Sequence, residues 1–178
     1  MRKAFVTSIG ETTTELCVWS LERQGFEVVL LQDGTSLWNK LKKIYLMADD
    51  TFLRVDADVV CNRFVKDMIL PKNIWWLQGM CFGWYGQKDM LGGVQLYGKQ
   101  TLPYLRKHID EAEHLDRPET YMSRLEEFHN PRRFDSDRMI VGIHGYKQAD
   151  NERVKKIKTR RGQIDNYDFE MAERLNEL

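Results

Sequence analysis

Two periodicities alternate over the first eighty residues of this chain, and the alternation limits the folds open to it. Apolar runs rich in β-branched residues at 3–9, 26–31 and 51–60 predict strands. Between them, residues 12–24 and 36–48 carry apolar side chains at helical spacing. A strand–helix–strand succession favours parallel strands, because each helix returns the chain across the sheet. The sequence therefore predicts an α/β fold with a mainly parallel central sheet flanked by helices.

The rest of the chain predicts shorter elements and a polar tail. Residues 1–150 hold every predicted strand and are expected to form one domain, and 178 residues suit a single domain of ordinary size. Residues 151–178 are expected to form an appendage made of a basic run and an amphipathic helix. The other predicted elements are strands at 74–85, 94–97 and 139–144 and helices at 62–69, 100–113 and 119–128.

Composition excludes several classes of protein. Hydrophobic residues make up 42% of the chain, which is enough for a core without disulfides and excludes extensive disorder. Because 27 Lys and Arg residues balance 27 Asp and Glu residues, strong global attraction to nucleic acid or membranes is excluded. Three widely spaced cysteines and the lack of a long apolar run lead us to expect a soluble, cytoplasmic protein with buried thiols.

Two acids end the third predicted strand. Asp56 and Asp58 follow the apolar residues Phe52, Leu53 and Val55. In an extended strand residues two apart point to the same face, so the two carboxylates would repel each other unless a cation joined them. Ligands bind at the carboxyl ends of parallel strands, and hard divalent cations prefer oxygen ligands. The sequence predicts a divalent metal site at Asp56 and Asp58, with a pair of solvated turn acids as the alternative.

One histidine is placed like a further metal ligand. His144 ends the predicted strand at 139–144 and precedes Gly145, which allows a ligand to approach closely. A histidine in this place can also be purely structural. The other three histidines fall on predicted helices or loops.

The segment at 53–60, LRVDADVV, resembles the D-x-D motif of GT-A fold glycosyltransferases, which use nucleotide-sugars. The segment at 141–148, VGIHGYKQ, resembles the part of glycogenin-like members that carries a histidine metal ligand and a lysine for the diphosphate. The lysine here follows the histidine by only three residues, a departure from the usual spacing. The resemblance implies a Rossmann-like nucleotide-binding half, a nucleoside diphosphate sugar as donor substrate, and Mn²⁺ or Mg²⁺ bound by Asp56, Asp58 and His144.

The same resemblance implies roles for residues around the donor. Asp33 follows the second predicted strand, where many members carry an acid that contacts the nucleobase. Asp56 is expected to be shared between metal and ribose. A helix or turn cap is the alternative role for Asp33 and for the two hydroxyl residues that end the first strand. The remaining expected donor contacts are Thr7 and Ser8 beside the nucleoside and Lys147, or else Lys40, on a phosphate.

An inverting transfer needs a carboxylate to accept the proton of the acceptor. Glu119 and Asp116 are the candidates, because they lie at the start of a predicted helix whose positive end favours an ionised acid. Both residues could instead be ordinary capping acids. The acceptor itself is expected to be a saccharide or a phosphate-rich molecule.

Two other functions fit parts of the sequence. The motif around Asp56 is also similar to the aspartate nucleophile of haloacid-dehalogenase-type Mg²⁺ phosphatases, although it lies on the third predicted strand rather than the first. Sugar nucleotidyltransferases begin with a glycine-rich loop, which residues 8–11 lack. The basic run at 153–161 could bind nucleic acid or an anionic lipid head group. The short chain also leaves open an acceptor site completed by a second subunit in a homo-oligomer.

Overall fold

The computed structural model describes residues 2–72, 74–83, 87–115, 118, 119, 121, 122 and 133–146. These residues form one seven-stranded sheet with helices packed on both faces, which confirms the predicted α/β class. The strands are β1 Lys3–Thr7, β2 Glu27–Leu31, β3 Phe52–Asp56, β4 Val59–Cys61, β5 Trp76–Gly83, β6 Gln87–Tyr97 and β7 Arg133–His144. The helices are α1 Thr14–Glu22, α2 Leu37–Met47 and α3 Leu102–His108.

The first three strands form the parallel half of the sheet. β1 pairs in parallel with β2 on one side and with β3 on the other. Thr7 lies opposite Leu31 in one pair and opposite Asp56 in the other, so the carboxyl ends of all three strands are level. The predicted succession of strands and helices over this region is confirmed, and it places the carboxyl ends of three strands at one edge of the sheet.

The second half makes the sheet mixed rather than mainly parallel. β6 is antiparallel to both β3 and β5, and β7 is parallel to β5 but antiparallel to β4. The strand order is β2-β1-β3-β6-β5-β7-β4. Only a few residues join β5 to β6, and a connection that short permits antiparallel but not parallel pairing.

The predicted strand at 51–60 is two strands separated by a turn, so the expectation that Asp56 and Asp58 share one face of an extended strand is wrong. β3 ends at Asp56, and β4 lies at the far edge of the sheet beside β7. Hydrogen bonds from distant parts of the chain hold the turn. The Ala57 amide donates to the carbonyl oxygen of Thr7 at 3.0 Å, and the Gly145 amide donates to that of Asp58 at 2.7 Å.

Several predicted helices are shorter than expected. The predicted helix at 62–69 is a 3₁₀ turn, Arg63–Asp67, capped by the Asn62 side chain. The predicted helix at 100–113 consists of α3 between two 3₁₀ turns. Most of the predicted helix at 119–128 and all of residues 147–178 lie outside the described residues, so the appendage at 151–178 stays a prediction.

Two apolar layers hold the fold together. α1 packs on one face of the sheet, over residues such as Val6, Val55 and Leu77. α2 and α3 pack on the other face, whose centre is aromatic: Phe52 meets Phe5 edge-on at 5.6 Å between ring centroids and stacks on Tyr97 at 5.1 Å. No helix in the described part of the chain is long and apolar enough to cross a membrane.

We expect Phe52→Ala to lower the free energy of unfolding by about 3–5 kcal/mol, because it opens a cavity at the centre of the aromatic layer. Urea denaturation of the purified protein measures the loss. The exposed Leu46 of α2 is the control, since Leu46→Ala should change stability by less than about 1 kcal/mol. Equal losses in the two variants would contradict the assignment of Phe52 to the core.

Candidate active site

A cavity of about 540 Å³ opens at the carboxyl ends of β1 and β3, beside the start of α2. In α/β sheets this edge is where ligands bind. The cavity brings together six residues for which the sequence predicted a role: Thr7, Ser8, Lys40, Asp56, Asp58 and Glu119. Four other residues also line it: Ile9, Glu11, Leu37 and Arg54.

Asp56 is held by two donors on one of its oxygens. Its Oδ1 accepts a hydrogen bond from Thr7 Oγ1 at 3.1 Å and another from the Arg54 guanidinium at 2.5 Å. Burial raises the pKa of Asp56; the Arg54 charge opposes this rise, whereas the Asp58 carboxylate adds to it. Because Oδ1 is engaged on both sides, Oδ2 is the oxygen that the Asp56 side chain can offer to a ligand.

Arg54 is the main site residue that the sequence analysis missed. Its side chain is buried, and its second terminal nitrogen donates to Gln95 Oε1 at 2.8 Å. Burial lowers the pKa of Arg54, but the surrounding groups, Asp56 first among them and Glu119 also, raise it above its usual value. A sequence signal exists: Arg54 is a charged residue in an otherwise apolar strand, on the same face as Asp56.

Asp58 and His144 meet across the turn that follows β3. Nε2 of His144 lies 3.2 Å from Oδ2 of Asp58. Their approach follows from the pairing of Val59 with His144 and from Gly145, whose φ of 76° suits glycine and turns its amide toward the Asp58 carbonyl. Two carboxylates and an imidazole form a donor set that suits Mn²⁺ or Mg²⁺. Across the described ranges no group of three or more such side chains is already arranged to hold a metal ion.

Gly93 provides the space beside these side chains. A Cβ at this position would lie 2.5 Å from Val59 Cγ2, 3.6 Å from His144 Cδ2 and 3.9 Å from Asp56 Oδ2. Its φ of 77° also favours glycine. The backbone of β6 therefore forms a wall of the site at a point where a side chain would intrude.

The Ser8 hydroxyl is engaged within its own loop. It donates to Glu11 Oε2 at 2.7 Å, accepts from the Gly10 amide at 2.9 Å and lies 2.8 Å from Thr14 Oγ1. These bonds match the alternative role in which Ser8 stabilises the turn before α1. The Ser8 carbonyl accepts a hydrogen bond from Lys40 Nζ at 2.6 Å, and Lys40 is only 1% exposed. This bond fixes the position of a buried ammonium group at the cavity.

A second cavity of about 350 Å³ adjoins the first, and Ile9 and Lys40 line both. It lies at the end of β2, where Gln32 and Asp33 border it. The Asp33 carboxylate is already paired with Lys43 and with the Thr35 hydroxyl, and these two contacts lower its pKa to about 2. Asp33 would therefore meet a ligand as a carboxylate already paired with Lys43.

The remaining predicted site residues divide into two groups. Glu119 borders the larger cavity with its Oε2 atom buried. Asp116, Lys147 and the basic run at 153–161 lie outside the described residues. A further cavity of about 570 Å³ lies at the opposite end of the sheet, where β1 and β3 begin, and none of the predicted site residues borders it.

Comparison with known proteins identifies the fold. No protein-family profile matches the sequence, and no curated protein sequence matches it. A glycosyltransferase involved in glycosylation of the major capsid of PBCV-1 is similar in structure, with a TM-score of 0.56 at 12% identity over 88% of this chain and 98% of its own. The chain has a GT-A-like fold.

Two other solved structures are similar over nearly the whole chain. A mutant of Drosophila β1,4-galactosyltransferase 7, in complex with manganese, UDP-Gal and xylobiose, has a TM-score of 0.51 at 13% identity over 93% of this chain and 82% of its own. The 4-diphosphocytidyl-2C-methyl-D-erythritol synthase of Anaerococcus prevotii has a TM-score of 0.54 at 10% identity over 91% and 99%. The GT-A-like fold is thus shared by glycosyl- and nucleotidyltransferases.

We expect Gly93→Ala to destabilise the protein by about 1–3 kcal/mol, because it combines an unfavourable φ with a clash against Val59. Gly25→Ala is the matched control: Gly25 has a φ of 84° but nothing within 4 Å of an added Cβ. Thermal or urea denaturation should show the larger loss for Gly93→Ala. A loss no larger than that of Gly25→Ala would mean that the space beside Asp56 is not restricted.

We expect Lys43→Met to raise the pKa of Asp33 from about 2 toward its ordinary value of 3.8. The pairing stabilises the folded state above the ordinary pKa, and this contribution is lost as the pH falls toward 2. A carboxyl-carbon NMR titration measures both pKa values. Lys42→Met is the control, because Lys42 pairs with Asp110 instead and its loss should leave Asp33 unchanged.

Proposed function

We propose that this protein is a metal-dependent glycosyltransferase that moves a sugar from a nucleoside diphosphate sugar to an acceptor. One observation carries the proposal: Asp56 and Asp58 line a cavity at the carboxyl edge of the sheet, and His144 lies against Asp58. The manganese and UDP-Gal bound to the similar galactosyltransferase are consistent with such a site. The donor set favours Mn²⁺ or Mg²⁺ as the cofactor.

The two adjoining cavities suit the two ends of the donor. The smaller cavity, near Gln32 and Asp33, would take the nucleobase, and the larger one, beside Asp56, would take the ribose and diphosphate. Lys40 lies between them and would direct its ammonium charge toward the ribose or a phosphate. Thr7 acts on the donor indirectly in this arrangement, by holding Asp56.

The proposed reaction needs a stabilised leaving group and a deprotonated acceptor. When bound, the metal ion supplies Lewis-acid stabilisation of the departing diphosphate. Asp56 Oδ2, Asp58 and His144 would hold that ion. In an inverting transfer the acceptor oxygen bonds to the anomeric carbon, the bond from that carbon to the diphosphate oxygen breaks, and the carboxylate of Glu119 accepts the acceptor's proton. Asp116 is the second candidate for this last role.

We expect Asp58→Asn to weaken Mn²⁺-dependent binding of UDP or GDP by at least about tenfold, because it removes a charged metal ligand. Titration calorimetry with and without Mn²⁺ measures the change. Asp67→Asn, at an exposed acid away from the cavity, is the control and should bind as the wild type does. The proposal fails if the wild type binds no nucleoside diphosphate in the presence of Mn²⁺.

A second candidate function, nucleotidyl transfer, is favoured by the similarity to the Anaerococcus prevotii enzyme. In its reaction a phosphate oxygen of a sugar or alcohol phosphate would bond to the α-phosphorus of a nucleoside triphosphate, and the bond from that phosphorus to the departing pyrophosphate would break. Pyrophosphate release without hydrolysis of any nucleotide-sugar would select this function. The phosphatase hypothesis receives no similar support, since Asp56 ends the third strand of the fold and its Oδ1 is engaged by Arg54 and Thr7.

The two acceptor classes differ in whether they would use the basic run at 153–161. A phosphate-rich acceptor would use these cations, and its affinity would fall steeply as the salt concentration rises. A saccharide acceptor would bind with little dependence on salt. The same assay at two salt concentrations therefore distinguishes the two acceptor classes.

A further inference from the structure

Two residues that border the larger cavity each carry a buried atom without a hydrogen-bond partner among the described residues. One is the Nε atom of Arg54, which carries a hydrogen and can only donate. The other is the Oε2 atom of Glu119, which accepts when the carboxyl group is ionised. Buried polar atoms are usually paired, because leaving one unpaired is costly. A donor and an acceptor left unpaired at the same cavity indicate that something else satisfies both.

The two groups do not satisfy each other. Each terminal nitrogen of Arg54 makes a hydrogen bond, one to Gln95 and one to Asp56, and these bonds fix the guanidinium, whereas its Nε atom has no acceptor within the described part of the chain. Glu119 lies close enough for its charge to raise the pKa of Arg54, yet its Oε2 makes no hydrogen bond to the guanidinium. A group that pairs with both atoms would therefore occupy a position between the guanidinium and the carboxylate.

The charges on either side restrict what can occupy that position. A phosphate or carboxylate would be repelled by Glu119, and an ammonium group would be repelled by Arg54. A hydroxyl group is neutral, donates one hydrogen bond and accepts others through the same oxygen. It is therefore the simplest group that matches both atoms.

We propose that Arg54 and Glu119 form a binding site for a hydroxyl group of the substrate, an inference that rests on the proposed function. Arg54 Nε donates to the hydroxyl oxygen, and Glu119 Oε2 accepts its hydrogen. Two substrate groups have this chemistry. One is a ribose hydroxyl of the donor, since Lys40 and Ile9 line both this cavity and the smaller one proposed for the nucleobase. The other is the acceptor hydroxyl, which Glu119 would also deprotonate.

The test uses Glu119→Ala, which removes the accepting oxygen, and Glu119→Gln, which keeps an accepting oxygen but is not a base. Glu113→Ala, at an exposed acid in the same part of the chain, is the matched control. Calorimetry with Mn²⁺ compares UDP or GDP, whichever the wild type binds, with its 2′-deoxy and 3′-deoxy forms. The second measurement is hydrolysis of the corresponding nucleotide-glucose, in which water serves as the acceptor.

If the hydroxyl belongs to ribose, the wild type and Glu119→Gln bind the unmodified nucleotide at least about tenfold more tightly than its 2′-deoxy form, its 3′-deoxy form or both. Glu119→Ala loses that preference. If it belongs to the acceptor, the nucleotide preference stays constant, while hydrolysis falls by about 10²-fold or more in both Glu119 variants. Arg54→Lys keeps the charge but lacks Nε, and it should reproduce the loss seen with Glu119→Ala while the protein remains folded by circular dichroism.

The inference is overturned if Glu119→Ala matches the control variant in both the nucleotide preference and the rate of hydrolysis. It is also overturned if Arg54→Lys, folded and still binding Mn²⁺, behaves as the wild type does. Failure of the proposed function gives a different result, in which the wild type itself binds neither nucleoside diphosphate with Mn²⁺. The wild-type titration therefore separates the two failures.

Discussion

The contact between the Arg54 guanidinium and the Asp56 carboxylate organises the site. A buried charge is tolerated only when it is paired and hydrogen-bonded, so Arg54 requires both Asp56 and Gln95 as partners. These bonds set the orientation of Asp56 and leave its Oδ2 facing Gly93. They also connect β3 to β6, where the Tyr97 hydroxyl donates to the same Gln95 oxygen. Any cation held by Asp56 is thus supported by a network that reaches into the sheet.

The parallel half of the fold could be predicted because each of its elements shows its own periodicity. The strands β1, β2 and β3 pair with one another, and the two helices that connect them are close to them in sequence. The local hydrophobic pattern of each element therefore agrees with the way it packs. The break after Asp56 could not be predicted from the residues at 51–60, which are suited to a strand throughout. That turn depends on amide donors near it and far from it in sequence, at Ala57 and at Gly145.

Site residues that belong to a recognisable motif could be predicted from the sequence. Contacts between residues distant in sequence could be predicted less well. The motif predicts Asp56 and Asp58 as candidate metal ligands, whereas the approach of His144 to Asp58 depends on the pairing of β4 with β7. The partner of Asp33 is Lys43, ten residues further on, and no pattern distinguishes it from the other lysines of α2. The limit of prediction from sequence is clearest at Arg54, since a single arginine in an apolar strand indicates that it has a partner but does not identify that partner.

The position of β4 has a consequence for how the site forms during folding. β4 follows Asp58 directly, but its neighbour in the sheet is β7, at residues 133–144. Asp56 can take its place once β6 has joined the first three strands and brought Gln95 to Arg54, whereas Asp58 lacks its anchoring bond until Gly145 has been synthesised and docked. Contacts so distant in sequence form slowly, because a long loop must close first. The two acids of one short motif therefore depend on different parts of the chain, and a chain stopped before β7 would carry the motif without the site.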